Sequence, residues 1–223
     1  MEIKVTKLTN EQLMRDACSM TFAGTSKQSL ISMYKAEHSP ARTQLFWIEA
    51  KYIPLFVATH FVRHHVGIQP FVLTHRKDRN GGVPQLSDYI AKLNTLVSDM
   101  LQGSIDKDNF IKAYEKQTDT ILKNTDRYTP TNMGVLINAQ SLIDMAKVRL
   151  CCHASTETTR VFQAIKDKIK EVDPDLYKML VRKCVYRNGI CGESCGFNQT
   201  DKFREELKDY LSNYTKKQKI CLE

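Results

Sequence analysis

Six groups that can hold or exchange protons crowd one stretch of the chain: His60, Arg63, His64, His65, His75 and Arg76 fall within 17 residues. Guanidinium forks and imidazolium rings at the end of an element grip anionic oxygens, so phosphate binding is the chemistry this cluster favours. A metal needs ligands that converge, whereas adjacent helical residues point about 100° apart and no HExxH spacing is present. The bland alternative is a basic rim that packs through its aliphatic and aromatic parts.

A second concentration lies further along. Cys184, Cys191 and Cys195 sit among Gly189, Gly192 and Gly196, a composition suited to a tight knuckle. With Cys151 or Cys152 as fourth ligand they would make a closed structural zinc site; buried free thiols or a disulfide are the competing readings. No GxSxG elbow, catalytic-cysteine context or Gly-rich phosphate loop occurs. An enzyme built on this chain would therefore take its chemistry from a cofactor.

The elements that must position these residues follow from periodicity and punctuation. Residues 3–8 alternate as a strand, 10–20 read as a helix, and Ser26 is the expected cap of a helix carrying Leu30, Ile31, Met33 and Tyr34. Residues 43–50 read as a buried strand. Pro54 opens an apolar helix that runs about three turns towards Gly67, with Arg63, His64 and His65 at its end. Residues 69–76 read as a strand, RNGGVP as a turn, and 86–101 and 107–123 as amphipathic helices. From 132 to 172 the chain is helix-compatible, as one long helix or two abutting ones. Pro174 starts a short helix, the knuckle spans 184–197, and Thr200 caps a polar C-terminal helix at 200–215 whose TKKQK end is frayed or solvated. Helices outnumber strands without regular βαβ interleaving, which makes the class α+β, with a mixed sheet flanked by long helices.

At 223 residues, with 42% hydrophobic and 26% charged, the chain 1–223 forms one domain by default. A net charge of +8 fits a protein that handles anions without choosing among nucleotides, nucleic acid and acidic surfaces. No run approaches the roughly 20 apolar residues of a membrane span. The charged start and the odd count of seven cysteines point to a soluble, cytoplasmic protein rather than a disulfide framework.

In order and spacing, three segments resemble the flavin-dependent thymidylate synthases, over about residues 15–197. His38-Ser39-Pro40 is similar to the family's HxSPFEH. IPLFVATHFVRHH looks like its PIFVARQWFRHR helix. NAQSLIDMAKVRLCCHASTETTR (138–160) is similar to NARSLxNFLxLRLCxxAQWEIR. The signature RHRxxSxNExSxR is half kept: Arg63 and His64 match, His65 replaces the second arginine, and QPFVL takes up the NE pair. With one inserted residue Thr74-His75-Arg76 aligns with SxR; without it Leu73 and His75 would take those places. Arg42 stands for an acidic residue and Gln140 for the arginine of NAR. Of AQWEIR, Ala154 and Glu157 remain, with Arg160 one place beyond. These departures resemble those of a divergent, virus-type branch, in which case the compartment would be the host cytoplasm.

The resemblance implies an α+β subunit, a homotetramer, and active sites where subunits meet, with FAD held by more than one chain. It places Arg63, His64 and His65 at the flavin or its phosphates and His38 and Ser39 along the flavin site. Thr74 and Arg76 would bind a pyrimidine deoxynucleotide, with Gln140 and Arg149 on the far side; Arg63, His64 and Arg76 form the catalytic set. A buried ion pair, with Glu157 as one partner, is the structural alternative for Arg149. The implied reaction is C5 methylation of dUMP to dTMP, using methylenetetrahydrofolate for the carbon unit and NADPH to re-reduce the flavin. Methylation or hydroxymethylation of another pyrimidine nucleotide, or a non-catalytic descendant, are the alternatives. The resemblance implies no direct nucleic-acid binding. A zinc-knuckle nucleic-acid binder is the contrasting class, resting on charge and cysteines alone.

Overall fold

The structure, a computed structural model, describes residues 1–21, 24, 26–74, 76, 78–79, 84–124 and 126–213. Four strands form one sheet in the order β1-β2-β4-β3: β1 is Glu2–Lys7, β2 Leu45–Pro54, β3 Ile68–Val72 and β4 Pro130–Asn138. Every pair is antiparallel, which corrects the expected mixed sheet. In register across the sheet, Val5 lies opposite Ile48, and Ile48 opposite Val135. These three, with Phe46, Ala50, Ile68, Met133 and Ile137, make one buried face. Alternate side chains of a strand share a face, so the core is written as period-two hydrophobicity along β2 and β4. Each large side chain buried there contributes about 1.5–3 kcal/mol.

The main correction is β4. Residues 130–138 lie inside a stretch that reads as helix, yet they form a central strand with Thr131, Met133, Val135 and Ile137 inward. Pairing on both sides outweighs weak local preference. The opposite face carries Trp47, whose indole lies over Gly134; a Cβ there would come within 2.6 Å of the ring. Trp47 also meets Phe71 at 5.8 Å between ring centroids.

Helices cover the buried face. α7 (Thr156–Val172), capped by the Ser155 side chain, lies across β1 and β2 and buries Val161, Phe162, Ile165 and Ile169. α1 (Glu11–Ser19) and α2 (Leu30–Ala36) follow β1. The α2 cap is Ser29, three residues later than the expected Ser26. α3 (Leu55–Val62) has Pro54 as its N-cap rather than in its first turn, and ends sooner than its apolar run: Arg63 is the C-cap, and His64 and His65 lie beyond. α4 (Leu86–Leu101) keeps the expected bounds and α5 (Lys107–Asn124) matches them to one residue at its end. They pack mainly on each other and on the 3-10 turn at 126–128. α6 (Ala139–Arg149) leaves β4 directly, α8 (Pro174–Met179) precedes the knuckle, α9 (Lys183–Tyr186) forms its start, and α10 (Asp201–Ser212) is capped by Thr200. Among the described residues no helix is long and apolar enough to cross a membrane. His75, most of RNGGVP and the TKKQK end lie outside the described residues.

Candidate anion-binding cleft

Two turns meet where β4 becomes α6 and where α3 hands over to β3. Asn138 caps α6, its side-chain oxygen accepting from the Ser141 amide at 2.9 Å, while its own amide donates to the Gly67 carbonyl at 3.0 Å. The Ser141 hydroxyl donates to the carbonyl of Val66. Gly67 has φ +68°, and a Cβ there would fall 2.0 Å from the Asn138 amide nitrogen and 2.5 Å from the Ser141 hydroxyl. Only glycine lets the segments approach this closely.

Between them opens a cleft of about 290 Å³, lined by Arg42, Arg63, His64, His65, Val66, Asn138, Gln140, Ser141 and Asp144. Two arginines and two histidines meet the N-terminal turn of an 11-residue helix. Guanidinium groups and the positive end of a helix both suit phosphate oxygens. The donor set therefore fits the phosphate-bearing part of a nucleotide or flavin dinucleotide.

Behind the cleft, Arg149 donates from Nε to His64 Nε2 at 3.2 Å and from Nη2 to the His60 carbonyl at 2.8 Å. A ring nitrogen that accepts from a guanidinium carries no proton, so His64 is neutral with its hydrogen on Nδ1. Burial first, then the Arg149 charge, holds the His64 pKa below the usual histidine range. Burial and the charges of Arg149, Arg63 and Arg127 lower His60 in the same way. His60 Nδ1 is hydrogen-bonded to Thr158 Oγ1 at 2.8 Å. The expected imidazolium role of His64 is thus replaced by that of a fixed neutral ring. The hydrogen bonds of Arg149 go to these two histidines rather than to Glu157.

On the opposite wall Gln140 donates to Glu37 Oε2 at 2.8 Å and to Asp144 at 3.3 Å, and Lys147 bridges the same two carboxylates at 2.9 and 3.1 Å. Gln140 is therefore held in an acidic network and offers no charge to an anion. Arg63, His64, His65 and Gln140 line this one cleft, with Arg149 one contact behind. His38 and Ser39 are exposed at the start of a 3-10 turn whose Pro40 and Ala41 are buried, and Arg42 from that turn is the residue that lines the cleft.

Thr74 and Arg76 do not join it. β3 starts beside the cleft, where Ile68 pairs with Ile137, and ends at Val72 opposite Met133. Both residues lie past that end, roughly a strand length of 15–20 Å away. Arg76 is exposed and bidentate on Asp78 at 3.2 and 2.9 Å. Asp144, Asn138 and Ser141 escaped the sequence reading because β4 did; the i, i+4 spacing of Gln140 and Asp144 was the available signal.

The six described cysteines are free. Among the described residues no group of three or more His, Cys, Asp or Glu is placed to hold a metal ion, so the expected zinc set is not formed.

The chain is thus a helix-rich α+β fold with an antiparallel sheet and a basic cleft at a strand-to-helix junction. The family described as "Thymidylate synthase complementing protein" (Thy1) matches residues 5–175, and the chain belongs to it. Two structures from Helicobacter pylori share the fold. One, thymidylate synthase X with FAD and dUMP, is 13% identical with a TM-score of 0.53, covering 81% of this chain and 99% of its own. The other, a flavin-dependent thymidylate synthase complexed with FAD and dUMP, is 15% identical with a TM-score of 0.54, covering 82% and 100%. No curated protein sequence matches the chain.

Proposed function

We propose that the protein is a flavin-dependent methyltransferase that converts dUMP to dTMP, with methylenetetrahydrofolate and NADPH as co-substrates. The observation that carries this reading is the cleft itself, because it brings the 63–66 turn onto the start of α6, and those are two of the segments that carry the family resemblance. The related structures with FAD and dUMP support it. When bound, reduced flavin would supply the hydride for the pyrimidine ring. Arg63, His65 and Arg42 would hold its phosphates, and Asn138 and Ser141 would keep the floor of the cleft rigid. Arg149 fixes the His64 ring so that Nδ1–H is the face it offers.

A cleft of about 290 Å³ is at the lower end of small-molecule pockets and too small for a whole dinucleotide. This supports a homotetramer in which sites are completed by neighbouring subunits, and Thr74 and Arg76, remote from their own cleft, would serve a neighbour's. Leu101 and Leu122 on the α4–α5 pair, 82% and 66% exposed, are apolar surface suited to such contacts. A different pyrimidine nucleotide is the second reading, favoured by Gln140 and Asp144 on the wall where the family has a phosphate-gripping arginine.

The test is anaerobic incubation of the full chain with FAD, NADPH, methylenetetrahydrofolate and each pyrimidine deoxynucleotide in turn. A product one methyl group heavier than dUMP is expected. Turnover of a different nucleotide alone would establish the second reading, and none with any nucleotide would refute both.

A further inference from the structure

The cleft carries charges of both signs, and they are not paired with each other. Arg42 and Arg63 line it together with Asp144. Opposite charges within one cavity of about 290 Å³ attract. Yet among the described residues the arginines with carboxylate partners are Arg76, Arg79, Arg182 and Arg204, and neither cleft arginine has one. The Asp144 side chain is 55% exposed, so packing does not hold it in place. It is held by Lys147 Nζ on Oδ1 at 3.1 Å and by Gln140 Nε2 on Oδ2 at 3.3 Å.

Gln140, Asp144 and Lys147 follow one another at i, i+4 and i+7, so they share one face of α6. Lys147 is 14% exposed, and two groups outside α6 fix it. Glu37 Oε2 accepts from Lys147 at 2.9 Å and from Gln140 at 2.8 Å, and the Lys147 ammonium lies 3.9 Å from the centre of the Tyr186 ring. Glu37 is the C-cap of α2 in left-handed backbone, φ +49°, a conformation that glycine adopts without steric cost. A glutamate there carries backbone strain and delivers a carboxylate to α6.

We propose that Lys147, seated by Glu37 and Tyr186, is a positioning residue for the cleft: it holds the Asp144 carboxylate off Arg42 and Arg63 and so leaves both guanidinium groups free for an incoming anion. This role rests on the proposed reading of the cleft as a flavin-phosphate site. Without Lys147 the carboxylate turns to the arginines, and a ligand phosphate must first displace it. Lys147 therefore acts through Asp144 and touches no ligand. Its positive charge also adds to the field in the cleft, but that effect does not depend on which side chain stands at position 144. Removing the Asp144 charge cancels the positioning effect and leaves the field effect, so the two are separable by a double-mutant cycle.

FAD and, separately, inorganic phosphate are titrated into the full chain and its variants. Lys147→Met should weaken binding about tenfold, whereas Asp144→Asn should bind at least as tightly as the parent. The double variant should match Asp144→Asn to within about twofold, because the lysine has little left to do once the carboxylate is gone. Lys147→Arg, which reaches both carboxylates, should behave as the parent. So should Lys168→Met, which removes one positive charge from α7 at a residue that does not line the cleft. Should Lys147→Met fail to fold, Lys147→Gln keeps a donor in place and should show the same rescue in smaller measure. An equal loss with and without the Asp144 carboxylate, or parental affinity in Lys147→Met, would overturn the role of Lys147 and leave the flavin reading standing. A parent chain that binds neither FAD nor phosphate would overturn both.

Discussion

Arg149 and His64 are joined by two donor contacts, 3.2 Å from Nε and 3.1 Å from Nη2, both to His64 Nε2. The contact crosses from the end of α6 to the turn after α3, so one guanidinium sets the position of a cleft residue and its protonation state together. The pKa of His64 in the folded protein lies below its unfolded value, with burial and Arg149 as the causes. The unfolded state then binds more protons in acid. The stability contributed by neutral His64 is present above the unfolded pKa, near 6.5, and is lost as pH falls from there through the folded pKa. Arg149→Ala should move the His64 pKa upward, as read by NMR titration of the ring. An unchanged titration would mean that Arg149 does not control this ring.

Asp173 is 2% exposed and accepts from Tyr34 Oη and Lys7 Nζ, each at 2.7 Å, while capping α8 through the Leu176 amide at 2.9 Å. Burial and the neighbouring Asp173 push the Tyr34 hydroxyl far above its ordinary range, so it is a permanent donor. Asp173→Ala orphans all three partners and should cost about 3–5 kcal/mol. Tyr34→Phe leaves the other two and should cost about 1 kcal/mol. Urea unfolding of both variants measures the difference; equal losses would show that the three contacts are not one network.

Gly67→Ala should be worse than backbone strain alone explains. Gly103, with φ +72°, has nothing within 4 Å of a built Cβ, whereas the same atom at Gly67 overlaps Asn138 and Ser141. Gly103→Ala should lose about 1–2 kcal/mol for the left-handed conformation. Gly67→Ala should lose that and also weaken anion binding in the cleft. Chemical denaturation and phosphate-ligand titration of the pair separate the effects, and matching behaviour would remove the claim that Gly67 sets the cleft.

Much of this architecture is legible locally. The bounds of α4, the Thr200 cap and the strand at the N-terminus follow from periodicity and capping chemistry, and the structure reproduces them. β4 is not legible, because Asn132 and Gly134 weaken its strand signal and no turn residue separates it from α6. Its strand state is imposed by pairing with β2 and β3, which is non-local. The cleft follows the same division. Arg63-His64-His65 stands out as a charge cluster, but the wall of Asn138, Ser141 and Asp144 exists only once β4 delivers α6 to it. Thr74 and Arg76 are near the cluster in sequence and a strand length away in space, since β3 runs between them.

The central claim, that the basic cleft grips the phosphates of a flavin, is tested most directly by titrating FAD into the parent protein and Arg63→Ala. Loss of one charge-assisted contact should weaken binding by about 1.5–3 kcal/mol, or roughly ten- to 150-fold. Equal FAD affinity in the two proteins would contradict it.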